Sequence, residues 1–182
     1  ERTKDDHIVS IFRTTTRSSY GLVTSAGRLV LAHVVELPKV SADGPLSVTG
    51  GVKAEELLGM TENTDPIRGE RGIAAIDMPS TDDGGQLVPL ALGTRNGVVK
   101  RWNRESPTTM DSWSVIDLKD DDEVLAAAEA RDEDRLVFVS TDSSLLTFEA
   151  KNVRPQGRTA GGMAGIRLAE GCSVAAFAVV PD

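Results

Sequence analysis

Apolar residues along this chain fall in short runs separated by polar clusters, not at helical spacing. Residues 116–127, Ile-Asp-Leu-Lys-Asp-Asp-Asp-Glu-Val-Leu-Ala-Ala, return fifty positions later, with Ile116, Leu118 and Val124 matched by Ile166, Leu168 and Val174. A looser copy upstream sets Ile73-Ala74-Ala75-Ile76 in the same place, so the apolar anchors fall at 73, 124 and 174. A period near fifty residues is the mark of a propeller-like or solenoid array.

The first half of each unit repeats as well. Leu22-Val23-Thr24-Ser25-Ala26-Gly27-Arg28-Leu29 pairs with Leu92-Gly93-Thr94-Arg95-Asn96-Gly97-Val98-Val99 and with Val139-Ser140-Thr141-Asp142-Ser143-Ser144-Leu145-Leu146. Each reads as apolar run, turn residues, apolar run, which predicts a β-hairpin at the head of every unit. Asn96-Gly97 predicts a type I′ turn, whose two central residues both need positive φ. The third copy carries Ser144 at the glycine position, and a bulged or longer turn is expected there.

Taken in order, residues 6–12 (Asp-His-Ile-Val-Ser-Ile-Phe) read as a lead-in strand, and 14–19, with Tyr20 behind them, as a polar turn into the first hairpin. Pro38 closes that hairpin, since a central strand would not accept it. Residues 41–51 read as loop, 53–60 as one helical turn or a short strand, and 61–71 as a polar insertion. The segment 78–86 is the clearest linker, giving one domain over residues 1–182 with units at about 6–78, 87–130 and 134–181. A helix competes only over residues 120–131, where alanine is frequent, and the match to residues 174–180 decides for strand. The fold class is therefore all-β, about three four-stranded blade repeats.

Composition narrows this further. A chain of 182 residues is long enough to bury a sizeable core. With four phenylalanines, two tryptophans and one tyrosine, that core must be built of aliphatic residues. The single cysteine, Cys172, excludes an internal disulfide or a cysteine-based zinc site and reads as a buried core thiol. No apolar run reaches the roughly twenty residues of a membrane span, and the N-terminus lacks a signal-peptide core. A soluble, cytoplasmic protein is expected, and a start at Glu1 without methionine suggests a piece of something longer. His7 and His33 have no partners at metal-ligand spacing. The Asp120-Asp121-Asp122-Glu123 run lacks the alternation of a calcium loop, and no phosphate-cradling glycine loop is present. No catalytic residue and no metal site is assigned.

The net charge of −8 argues against indiscriminate nucleic-acid binding. The charge is segregated, however. Nine acidic residues lie between Asp117 and Asp134, whereas Arg95, Lys100, Arg101 and Arg104, and then Lys151, Arg154, Arg158 and Arg167, occupy stretches free of acid. Separable basic and acidic faces follow; either is equally compatible with a solvated surface that keeps the chain soluble.

These residues resemble the C-terminal domain of the A subunit of the bacterial type IIA topoisomerases, DNA gyrase and topoisomerase IV. Gly97-Val98-Val99-Lys100-Arg101 is similar to that family's hairpin end, and Gln156-Gly157-Arg158-Thr159-Ala160-Gly161-Gly162 to its glycine- and arginine-rich loop, continuing as Met163-Ala164-Gly165-Ile166-Arg167-Leu168. Thr159 and Ala160 depart from the fuller box of gyrase itself, a copy of which would lie before Glu1, and unit two has only Pro107-Thr108-Thr109-Met110 in the loop position.

The resemblance implies a β-pinwheel, in which blades exchange strands and double-stranded DNA bends around a basic rim. Arg28, Arg95, Lys100, Arg101, Arg104, Lys151, Arg154, Arg158 and Arg167 are the implied phosphate contacts, giving salt-dependent, largely sequence-independent binding. It further implies a parent that uses ATP and magnesium through other domains. The remainder of the parent's A polypeptide and its separate ATPase polypeptide would be partners, and the fragment itself a monomer without cofactor. Its task would be to present a DNA segment for strand passage, tuning supercoiling, relaxation or decatenation, with the weak basic loop leaning towards topoisomerase IV. The alternative is a blade-repeat module that docks a basic protein through its acidic face.

Overall fold

The computed structural model describes residues 8–39, 69–78, 87–119 and 121–182, with the isolated positions 51, 53 and 56. Twelve strands are described: β1 (Ser19–Thr24), β2 (Arg28–His33), β3 (Gly72–Met78), β4 (Leu90–Thr94), β5 (Val98–Trp102), β6 (Ser112–Ser114), β7 (Val124–Glu129), β8 (Arg135–Ser140), β9 (Leu145–Glu149), β10 (Pro155–Gln156), β11 (Met163–Ala164) and β12 (Val174–Val180). Single 3-10 turns follow β2 and β9, at Val34–Glu36 and Ala150–Asn152.

Three antiparallel hairpins carry the repeat: β1–β2, β4–β5 and β8–β9. The last strand of each unit returns to the hairpin's first strand, so β3 pairs β1, β7 pairs β4 and β12 pairs β8. The register slips at one and the same place in all three blades, beside Thr24, Thr94 and Val174. A bulge there bends the strand and raises its twist. Within this register Gly72, Val124 and Val174 are equivalent, so the anchor of unit one lies one residue earlier than its sequence suggests.

Blades also exchange strands. β6, from the second unit, adds to β2 of the first blade. Both β10 (parallel) and β11 (antiparallel), from the third unit, add to β5 of the second. This is the β-pinwheel arrangement. The returning strands β3, β7 and β12 pack against one another on the inner side, and the donated strands lie on the outer edge.

Side chains alternate across each strand, and the middle blade is covered on both faces. Leu90, Leu92 and Trp102 point towards the first blade and join Val23, Leu29 and Trp113. Ala91 and Val99 point towards the third and join Leu136, Phe138 and Phe177. Fully burying each such large apolar side chain stabilises by about 1.5–3 kcal/mol, and none of these is more than 7% exposed.

Several expectations need correction. Residues 8–12 are described without strand structure; they run along β3, where Ser10 Oγ accepts from the Ala75 N–H at 3.1 Å. Tyr20 is not in a polar lead-in but buried inside β1. Cys172 sits half-buried in a turn closed by its own N–H to the Ala169 carbonyl, 3.0 Å. The hairpin turns are not type I′. Gly97 N–H bonds the Thr94 carbonyl at 3.1 Å with positive φ at Gly97, +84°, and not at Asn96. That is a tight turn followed by one left-handed residue, the second-commonest hairpin geometry. The third turn has the same length: Ser143 N–H bonds the Ser140 carbonyl at 2.9 Å, and Ser143, not Ser144, takes the left-handed place at φ +67°. The expectations for residues 1–7, 40–50, 57–68 and 79–86, including His7 and most of the linker, lie outside the described residues.

Candidate nucleic-acid interface

The nine cations of the expected rim do not form one surface. Strand β5 carries Val98, Lys100 and Trp102 on one face and Val99 and Arg101 on the other, and both faces meet a neighbouring blade. Lys100, Arg101 and Arg104 are accordingly 0%, 1% and 3% exposed, which removes them from any rim that could touch a phosphate. Each instead fastens a different segment. Lys100 Nζ donates to the carbonyls of Ala160 (2.6 Å) and Arg158 (3.1 Å). Arg101 donates to the carbonyls of Ala130, Ala150 and Val153 and to Asp132. Arg104, held at φ +60°, reaches the Asp77 carbonyl on β3 and the Glu129 carboxylate on β7.

Burial drives the Lys100 ammonium down to about 8, with the Glu105 and Asp117 carboxylates opposing the shift. Taking a cation out of water disfavours its charged form.

Arg28, Arg95 and Lys151 reach the surface but are paired. Arg28 makes a two-pronged bond to Glu70 (3.0 and 2.8 Å) and donates to Ser112 Oγ on the exchanged strand β6. The hydrogen bond to Glu70 leads in raising the Arg28 pKa. Burial pushes the Glu70 carboxyl up, but the bonds from Arg28 and Thr24 and the Arg28 charge outweigh it and leave it lowered. Arg95 and Arg71 converge on Glu123. Lys151 pairs with Glu149.

Arg154, Arg158 and Arg167 have no ion-pair partner among the described residues. Arg154 and Arg167 are exposed and Arg158 half-exposed. Arg158 and Thr159 stand at the wall of an open groove of about 590 Å³ on the outer edge, opposite Arg28, Ser112 and Ser114, with Asp117 at one side. Residues from the first and third units thus meet across β6, the strand that the intervening unit donates.

The loop carrying Arg158 is held from below. Gln156 accepts the Asn103 N–H through its carbonyl at 3.2 Å, the Glu105 carboxylate takes the Arg158 N–H at 2.7 Å, and Asp117 N–H bonds the Ala160 carbonyl at 3.2 Å. Gly162, at φ +80°, lets the chain turn back over β5; a Cβ there would stand 2.6 Å from the Val99 carbonyl oxygen. The sequence signal for this clamp was partial: Lys100 and Arg101 stand in an apolar run ending at Trp102, where alternation places one of the two inside and the other outside.

A family model described as "DNA gyrase C-terminal domain, beta-propeller" matches residues 134–181. The chain is 27% identical to the DNA gyrase A polypeptide of Nocardioides sp. over 97% of its own length, and 29% identical to that of Mycolicibacterium smegmatis over 98%. It spans only 18% and 20% of those proteins. Its whole length superposes on the crystal structure of the C-terminal domain of DNA topoisomerase IV with a TM-score of 0.73 at 23% identity, covering 53% of that chain. No described helix is long and apolar enough to cross a membrane. Strand exchange and repeat register thus agree with the fold of the C-terminal domain of DNA topoisomerase IV, and over nearly its whole length the chain is similar in sequence to a part of bacterial DNA gyrase A polypeptides.

Proposed function

We propose that this domain binds duplex DNA along its outer edge and bends it, presenting a segment to the strand-passage core of a type IIA topoisomerase. The observation that carries the reading is the clamped loop, whose backbone is tied down while Arg158, unpaired among the described residues, faces an open groove. Arg154 and Arg167 extend the cationic surface in the same unit, and Arg28 can join by exchanging Glu70 for a phosphate. Each phosphate neutralised releases counterions, so affinity falls steeply with salt and depends little on sequence. Bending by 40–90° costs roughly 1–6 kcal/mol over 20–30 base pairs, which a stripe of such contacts along several blades offsets.

In the parent, the rest of the A polypeptide and the separate ATPase polypeptide would supply cleavage, ATP and magnesium, and the compartment would be the bacterial cytoplasm. This chain's role there would be to set the balance between supercoiling, relaxation and unlinking.

The test is a titration of a labelled duplex of about 40 base pairs at several salt concentrations, beside a variant with Arg154, Arg158 and Arg167 all changed to Ala. The expected result is weaker binding and a salt slope shallower by about 2–3, near 0.9 per lost contact. Unchanged affinity and slope in the folded variant would sink the reading and favour docking of a basic protein on the acidic face. Lys100 and Arg101 are unsuitable for this purpose, because removing them attacks the blade interior.

A further inference from the structure

We infer that Lys100 is a positioning residue, which orders the loop of residues 157–162 and so presents Arg158 to the groove. The inference rests on the DNA-binding reading for its functional consequence, but its structural half stands alone. The argument comes from comparing two blades of the same chain. β2 pairs β6 with Leu29 opposite Trp113 and Arg28 opposite Ser114. β5 pairs β11 with Val99 opposite Met163 and Val98 opposite Ala164. Leu29 and Val99 are therefore equivalent, and Lys100 takes the place that Val30 holds in the first blade. The loop that leads into β6, whose Ser112 pairs with Val30, is Pro107-Thr108-Thr109-Met110, without arginine or glycine; the loop that leads into β11, and that Lys100 reaches, is Gly157-Arg158-Thr159-Ala160-Gly161-Gly162. A buried ammonium accompanies the arginine loop, and an aliphatic residue holds the same place beside the loop that has none.

The geometry explains the match. A glycine-rich loop has high conformational entropy to lose on ordering, and its carbonyls need donors once turned inward. Lys100 supplies two such bonds, to residues 158 and 160, on either side of Thr159. With those carbonyls drawn in, the intervening backbone is fixed, and the Arg158 N–H is held by Glu105 on the other side. The cation is thus used on the loop's carbonyls while the neighbouring arginine stays available. Charge-assisted bonds of this kind are roughly twice as strong as neutral ones.

Two measurements on this chain test the inference. In amide hydrogen exchange without DNA, Lys100→Met should speed exchange at Arg158 and Ala160 by about tenfold or more, while β8 keeps its protection. Lys100→Val, which copies the first blade's own residue, serves if the methionine variant does not fold, and Glu105→Ala should loosen the Arg158 amide from the exposed side. In the duplex titration, Arg158→Ala should lower affinity several-fold in the unaltered chain and have no further effect on top of Lys100→Met, whereas Arg154→Ala should cost the same in both. Unchanged exchange at Arg158 and Ala160, or an Arg158→Ala loss of full size in the Lys100→Met background, would overturn the positioning role. Absence of any DNA binding by the unaltered chain would count against the proposed function alone, since the exchange measurement still decides the part played by Lys100.

Discussion

Replacing Arg101 by Met distinguishes most sharply between a cation that serves the fold and one that serves a ligand. The guanidinium is 1% exposed and donates to three backbone carbonyls, those of Ala130, Ala150 and Val153, at 2.9–3.2 Å, as well as to Asp132. Asp132 is largely in water, so its share is that of a surface ion pair, below about 1 kcal/mol. The carbonyls decide the magnitude. The Ala150 carbonyl keeps the Val153 N–H at 2.9 Å, so two acceptors, those of Ala130 and Val153, lose their donor; at about 1–3 kcal/mol each this sets a range of about 2–6 kcal/mol. An open groove bordered by Arg101, Asp132 and Pro155 gives water a route to part of the site, and methionine fills some of the volume, so we expect about 3–5 kcal/mol, as for breaking other buried ionic contacts. Against a typical domain stability of about 5–15 kcal/mol this is severe. Equilibrium urea unfolding, with Arg101→Lys as an intermediate that keeps charge but loses the planar fork, gives the number directly. In an array of stacked units the loss should fall first at the junction of the second and third blades. A loss below about 1 kcal/mol, accompanied by weaker DNA binding in a folded variant, would refute the argument and return Arg101 to the rim.

Other consequences follow from single positions. Ser143 holds φ +67° where the other two hairpins use glycine; Ser143→Gly should stabilise by about 0.5–1 kcal/mol and raise the thermal midpoint by a few degrees, whereas no change would mean the serine is unstrained. At Gly93 an added Cβ would stand 2.2 Å from the Phe177 ring, between the second and third blades, so Gly93→Ala should cost at least about 1–3 kcal/mol in urea unfolding. Lys100 gives a pH signature. With its folded value at about 8 and its ordinary value 10.5, the unfolded chain holds the extra proton between those limits. Stability of the unaltered chain should therefore rise with pH across that window relative to Lys100→Met, by up to about 3 kcal/mol; a flat difference between roughly pH 7.5 and 10 would show that the ammonium is not desolvated.

The repeat and the all-β class were legible because each unit must place apolar residues on the same faces of the same strands, and that requirement survives divergence elsewhere. The offsets of one residue were not legible. A bulge adds a residue to one strand without changing its character, so the apolar pattern selects Ile73 where the register holds Gly72. Ser143 and Ser144 are indistinguishable until backbone φ is known. The lead-in at residues 8–12 has strand-like alternation, yet Ile8, Val9 and Ile11 are exposed, Ile11 at 87%, and only Phe12 is half-buried. Pattern registers what a segment can bury, and here residues 9–12 only border an open groove along β3 and β7 without pairing to either.

Lys100, Arg101 and Arg104 were misplaced for a more general reason. A charge run reads as surface because an isolated strand has one dry face and one wet face. In a stacked array a middle blade has two dry faces, and then a cation on either face must be matched with carbonyls and carboxylates from the next unit. Lys100, Arg101 and Arg104 meet that demand by reaching residues 158–160, 130–153 and 77 with 129 respectively. Most of these bonds tie one unit to the next, so the same side chains that cannot touch DNA set the spacing and the angle between blades. If the proposed wrapping is right, the buried cations act on it indirectly, because the path of a bent duplex over the outer edge follows from how successive blades are held.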